Sequence, residues 1–170
     1  MKCLIWIMIF TLSFNSCSLV KQNTRLINSS KQTVDMGKFK GLRLIEIATL
    51  NYPEKTVQTQ NSHVFTEIDK DNFSDSLIQS LKKSDVRVLP SAQTKIHIDF
   101  TQLVMSDTAT GEIMIMSANV AVSRNGIVTR KTIQINSMPS ITNGATKNNG
   151  VVRFLQALGE LLREQSSFKR

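Results

Sequence analysis

Between Thr94 and Ile135 the chain alternates apolar and polar residues through three successive runs, and this period of two commits the middle of the sequence to a β-sheet with one covered face. In Thr94 to Met105, Ile96, Ile98 and Phe100 share one face while Lys95, His97, Asp99 and Thr101 share the other; the apolar phase then moves to Leu103 and Met105, which predicts a bulge near Thr101 or Gln102. Glu112 to Val122 carries Met114, Met116, Ala118, Val120 and Val122 on one side and Ile113 and Ile115 on the other, the pattern of a central strand covered on both faces for part of its length. Asn125-Gly126 is a hairpin signal, since both central positions of a type I′ turn need positive φ. The strand after it, Ile127 to Ile135, sets Ile127, Ile133 and Ile135 against Arg130, Thr132 and Gln134.

A sheet with one apolar face needs a second layer to cover it, and two amphipathic stretches supply it. Asp69 or Asp71 is placed to cap a helix in which Phe73, Leu77 and Leu81 recur every four residues, ending in Lys82-Lys83. After Gly150, Val151, Phe154, Leu155, Leu158, Leu161 and Leu162 follow helical spacing, with Arg153, Gln156, Glu160, Arg163 and Glu164 opposite. Leu42 to Ala48 reads as a first strand between Gly41 and the turn Asn51-Tyr52-Pro53, and Val86 to Leu89 as a short strand stopped by Pro90. Thr56 to His63 is polar and uncommitted, and Asn136 to Asn149, rich in Ser, Thr, Asn and Gly, reads as a loop that is mobile or faces a partner. The order strand, helix, four strands, helix predicts an α+β fold: a mainly antiparallel sheet of four to five strands with both helices on one face.

The N-terminus points to a compartment. Lys2 supplies a charge, and Leu4, Ile5, Trp6, Ile7, Met8, Ile9 and Phe10 form an apolar core shorter than the roughly 20 residues a membrane-spanning helix needs, so the segment reads as an export signal. Leu12-Ser13-Phe14-Asn15-Ser16-Cys17 resembles the lipobox of bacterial lipoproteins, in which a small residue precedes the cysteine that is acylated and becomes the new N-terminus. The two cysteines are Cys3, inside the signal, and Cys17, so the remaining body has none to pair, and thiol catalysis and cysteine metal sites are excluded from it. The resemblance implies lipidation at Cys17, with acyl chains such as palmitate. Ser18, in place of the Asp that marks retention at the inner membrane, implies the outer membrane. The expected organisation is a signal over 1–16, a lipidated, basic, flexible tether over 17–40 and one α+β periplasmic domain over 41–170.

Taking Lys2 from the formal charge of +8 leaves +7, and Lys21, Arg25, Lys31, Lys38 and Lys40 concentrate it beside the proposed anchor against Asp35 alone. Such a segment suits attraction to anionic head groups. One Tyr, a Trp confined to the signal and no interleaving of basic and aromatic residues argue against a nucleic-acid partner.

The helix over Phe73–Leu81, the step Val86-Arg87-Val88-Leu89-Pro90, the alternation from Ile96 to Phe100, the hairpin at Asn125-Gly126 and the closing helix together resemble the body of small outer-membrane lipoproteins. These include the lipopolysaccharide-assembly lipoprotein and the auxiliary lipoproteins of ABC-type envelope transporters. The resemblance spans Gly41 to Arg170 by pattern, brings no signature motif, and has Ser18-Leu19 where the assembly lipoprotein has Gly followed by an aromatic. It implies a non-catalytic accessory subunit of an envelope transport or secretion assembly, with a protein partner. A binder of anionic envelope polymer or of the cell-wall synthesis machinery is the alternative.

Enzyme chemistry has one candidate, His97 and Asp99, two residues apart on one strand face and so placed to hydrogen-bond each other. Ser106 and Ser117 are available hydroxyls, yet neither sits in a Gly-x-Ser-x-Gly elbow, and a solvated polar strand face explains the pair more simply than a weak hydrolase does. His63 stands apart from His97, and Asp107-Thr108-Ala109-Thr110-Gly111 offers one carboxylate, too few for calcium. Neither catalytic residues, nor a metal, nor a cofactor is expected.

Overall fold

The computed structural model describes residues 28–53 and 65–167. Cys17, the signal before it and His63 lie outside the described residues. The elements are β1 (Leu44–Asn51), α1 (Glu67–Lys83), β2 (Arg87–Val88), β3 (Thr94–Thr108), β4 (Gly111–Arg124), β5 (Ile127–Asn136) and α2 (Asn143–Ser167). They form the expected α+β arrangement, a five-stranded sheet in the order β2-β1-β3-β4-β5.

The three alternating runs form the antiparallel part, with β3 paired to β4 and β4 to β5. The register slips between Phe100 and Gln102, which leaves Thr101 as the extra residue. That single insertion keeps Ile96, Ile98, Phe100, Leu103 and Met105 all on the covered side, where each is buried. Asn125 and Gly126 turn the next hairpin with φ of 51° and 79°, both positive as the turn type demands. β1 departs from this pattern by pairing in parallel with both β2 and β3. Its link to β2 is the helical crossover α1 that a parallel pair requires.

Both helices cover the same face. Phe73 of α1, Phe100 of β3 and Phe154 of α2 meet at the core with ring centroids 5.1 to 5.6 Å apart, and Tyr52 stacks on Phe100 at 5.3 Å. On the opposite face Ile113 and Ile115 are only half-buried. Ser117, next on that face, is buried, so the second face of β4 is closed off over part of its length and half-open at the two isoleucines.

Thr66 is the N-cap of α1: its hydroxyl accepts from the Asp69 amide while Asp69 accepts from the Thr66 amide, a capping box that makes Asp69 the third residue of the helix and not its cap. α2 begins at Asn143, seven residues before Gly150, so much of the expected loop is helix. Gly150 lies inside it because α2 runs close to β4: a Cβ there would stand 2.9 Å from the Met114 sulfur. Tertiary packing thus overrides the low helical propensity of Asn, Gly and Thr.

Residues 28–40 are not a free tether. From Ser29 to Met36 the chain runs extended between the two helices, parallel to α1, and its amides are taken up by α1 side chains. The Ser29 amide donates to Asp69, that of Gln32 to the Ser76 hydroxyl at 2.8 Å, that of Val34 to Ser80 at 2.9 Å and that of Met36 to Ser84 at 3.2 Å. The match is metrical. Two residues of extended chain advance about 6.6 Å and four residues of helix about 6.0 Å, so amides two apart meet serines four apart. On the other side Gly159 of α2 admits the strap, since a Cβ would lie 2.9 Å from the Met36 Cβ, and Arg163 donates to the Met36 carbonyl at 2.7 Å. Val34, Met36 and Phe39 are buried in the core. The basic, polar composition of the segment concealed three apolar residues at alternating or near-alternating positions, and these hold it down.

Candidate functional site

The uncovered face of the sheet presents the polar positions of β3, β4 and β5. At one level of the ladder Asn51, Asp99, Asn119 and Thr132 stand in a row across β1, β3, β4 and β5. Asn51 donates to Asp99 at 2.6 Å, and Thr132 donates to Asn119 at 2.9 Å. Beside the row lies a shallow depression of about 380 Å³ lined by Asp99, Asn119, Ala121, Arg130, Lys131 and Thr132. Lys131 also pairs with Glu164 of α2 at 3.2 Å, and Lys95 with Glu46 at 3.3 Å. The row is a set of amide, carboxylate and hydroxyl groups in fixed positions, able to hydrogen-bond a polar partner.

His97 and Asp99 share this face, as their spacing predicts, but they do not engage each other. The His97 Nδ1 meets the Thr49 hydroxyl at 3.1 Å, while Asp99 is held by Asn51. Parallel pairing of β1 beside β3 supplies each with its own cross-strand partner. Ser117 is buried on β4 and Ser106 lies further along β3, at the rung Ser106–Ile113. The structure therefore assembles no nucleophile, base and acid from the four residues. Among the described residues no group of three or more His, Cys, Asp or Glu is placed to hold a metal, and no helix is long and apolar enough to cross a membrane.

Sequence reading missed a second polar centre. Lys147 of α2 and Asp69 of α1 form an ion pair at 2.6 Å with both side chains fully buried. The Asp69 carboxylate also accepts from the Ser29 amide at 2.5 Å, the Thr66 amide at 2.8 Å and the Thr66 hydroxyl at 3.0 Å. Burial pushes its carboxyl pKa up, but the bonds from Lys147, Ser29 and Thr66 and the charge of Lys147 outweigh it and hold the group below its ordinary value of 3.8. Asp69 thereby joins strap, α1 and α2 at one end of the molecule. Asn148 extends the junction, accepting from the Ser30 amide at 2.8 Å and donating to the Ser30 hydroxyl at 3.0 Å. No local signal marks Lys147 in the sequence, because it lies in a Thr-, Asn- and Gly-rich stretch whose helical character depends on this packing.

No family model matches the sequence, and no curated protein matches it. Solved structures with a similar course of chain include an uncharacterized protein, 12% identical, with a TM-score of 0.47 over 81% of this chain and 100% of that one. A Xanthomonas campestris protein of family DUF330 is 12% identical, with a TM-score of 0.42 over 82% of this chain and 91% of that one. A minor lipoprotein from Acinetobacter baumannii is 10% identical, with a TM-score of 0.40 over 74% and 93%. With TM-scores below 0.5, these likenesses say nothing about what the chain binds or does.

Proposed function

We propose that this chain is a lipid-anchored, non-catalytic subunit of an envelope transport or secretion assembly, held on the outer membrane by acylated Cys17 with its body facing the periplasm. The observation that carries the reading is the pairing of an export-signal pattern, Leu4 to Phe10 followed by Ser16-Cys17, with a body that contains no further cysteine. Several acyl chains on one cysteine hold a protein firmly where a single chain does not. A binding role, and not a hydrolytic one, is favoured by the separate engagement of His97 and Asp99 with β1. The row of polar groups from Asn51 to Thr132, with Arg130 beside it, is the surface offered to the partner.

The test is cross-linking in cells, extraction in mild detergent and identification of what co-purifies with the parent, with Arg130→Glu and with His97→Ala. The parent and His97→Ala should recover the same envelope protein, and Arg130→Glu should recover less of it while melting like the parent. If His97→Ala abolished function in a folded protein, the hydrolase reading through His97 and Asp99 would replace this one.

A further inference from the structure

We infer that the end of the molecule bearing Asn28, the first described residue, is a membrane-contacting surface, in which Ile141, Met138 and Ile68 enter the lipid interface next to the anchor. The inference rests on the acylated Cys17 proposed above and assigns that anchored body an orientation.

Three large apolar side chains stand in solvent at this end: Ile141 is 90% exposed, Met138 58% and Ile68 56%. Two of them are linked through neighbouring residues to Ser29 and Ser30. Ile68 precedes Asp69, which accepts from the Ser29 amide. Asn148 binds Ser30, and its neighbour Asn149 accepts from the Met138 amide at 2.9 Å. Ile141 lies in the turn that leads into α2, two residues before its first.

The loop that carries Met138 and Ile141 is pinned, so the two side chains are held outward. The Ser137 hydroxyl accepts from the Met114 amide at 2.8 Å, and Ser140 exchanges both backbone hydrogen bonds with Glu112, at 2.8 and 3.0 Å. Gly111 lets this pairing come close, since a Cβ there would lie 2.6 Å from the Ser140 carbonyl oxygen. A fixed loop that exposes an isoleucine and a methionine gains by burying them, and the interfacial layer of a bilayer takes up such side chains.

Chain length selects lipid as the occupant. Only the ten residues 18–27, eleven residue steps, separate Cys17 from Asn28, a reach of at most about 40 Å. α2 alone, with 25 residues, is about 38 Å long. Ile127 and Val128, which with Leu44 and Leu89 are the exposed large apolar residues at the opposite end among the described residues, can therefore reach the anchoring membrane only if that whole segment is drawn straight along the body. The end bearing Ile141 reaches it without such stretching.

The full chain should be expressed, its N-terminus checked by mass spectrometry, and the protein reconstituted in vesicles of phosphatidylethanolamine and phosphatidylglycerol containing bromolipid. Trp6 is the sole tryptophan and belongs to the segment removed at Cys17, so Ile141→Trp and Ile127→Trp each give a mature protein with one indole. With an acylated N-terminus, Ile141→Trp should show blue-shifted emission and loss of intensity to bromolipid, while Ile127→Trp emits as in water and is unquenched. An acylated Ile141→Trp protein that is unquenched, or quenching of both variants, overturns the inference and leaves the anchor standing. A blue shift in native envelope membranes without quenching in pure lipid assigns the loop to a protein partner and likewise overturns it. An unacylated N-terminus removes the anchor and the orientation together.

Discussion

At the scale of single residues, Asp69 and Lys147 bear the largest electrostatic risk in the fold, because neither charge retains water and each depends on the other. Lys147→Met should destabilise the protein by about 3–5 kcal/mol, since it strands a buried carboxylate. Adding Asp69→Asn to it should recover part of the loss, and urea unfolding of the single and double variants measures both effects. The pH dependence follows from the depressed carboxyl. Its contribution is fully present above the ordinary value of 3.8 and is lost as the pH falls through the lower value it has in the fold. The gap in stability between the parent and Asp69→Asn should therefore narrow as the pH is lowered from neutral to below 3.8, and melts across that range would contradict the assignment if the gap widened. Neither residue was legible as a pair: 78 positions separate them, and Asp69 looked like a cap because capping is a local pattern whereas its bond to Lys147 is not.

At the scale of elements, the strap and α2 teach different lessons. Ser76, Ser80 and Ser84 accept amides of the strap at every second residue, so Ser80→Ala should leave the Val34 amide buried without a partner at a cost of about 1–3 kcal/mol. Ser74→Ala, off that stripe, should change stability by less than about 0.5 kcal/mol, and denaturant midpoints compare the two. Leu158 of α2 is fully buried, and Leu158→Asp should unfold the body or lower its thermal midpoint drastically, while Gln156→Ala on the exposed face leaves it near the parent. A Leu158→Asp protein that melts normally would mean that α2 is not docked on the sheet. The alternation of β3, its bulge, the Asn125-Gly126 turn and the second half of α2 were readable because periodicity is written in adjacent residues. The strap was not, since its hydrogen-bond acceptors lie 40 to 48 positions away. The first turns of α2 were concealed by Gly144 and Gly150, residue types that punctuate loops; at Gly150 the neighbouring β4 needs the space. Arg163 belongs to the same lesson: it sits on the polar face by spacing, yet it reaches across to the strap.

At the scale of the whole molecule, the open sheet face was legible as far as one strand carries it. Lys95, His97 and Asp99 are on that face as alternation requires, but Glu46, Thr49 and Asn51 became their respective partners through a parallel pairing of β1 that no local pattern announces. The docked strap also changes what an anchor at Cys17 means. Val34, Met36 and Phe39 are buried, each contributing about 1.5–3 kcal/mol, so the body does not swing on the 24-residue stretch 17–40 but is held from residue 28 onward. Lys31 is correspondingly engaged with Asp75 at 2.6 Å, while Lys38 and Lys40 remain exposed. Attachment at Cys17 is decided by mass spectrometry of the N-terminal peptide from membrane-extracted protein. The expected result is a chain beginning at Cys17 with acyl groups on that residue, and a Cys17→Ala protein released from the membrane fraction. An unmodified N-terminus, or a Cys17→Ala protein that stays fully membrane-bound, would contradict it.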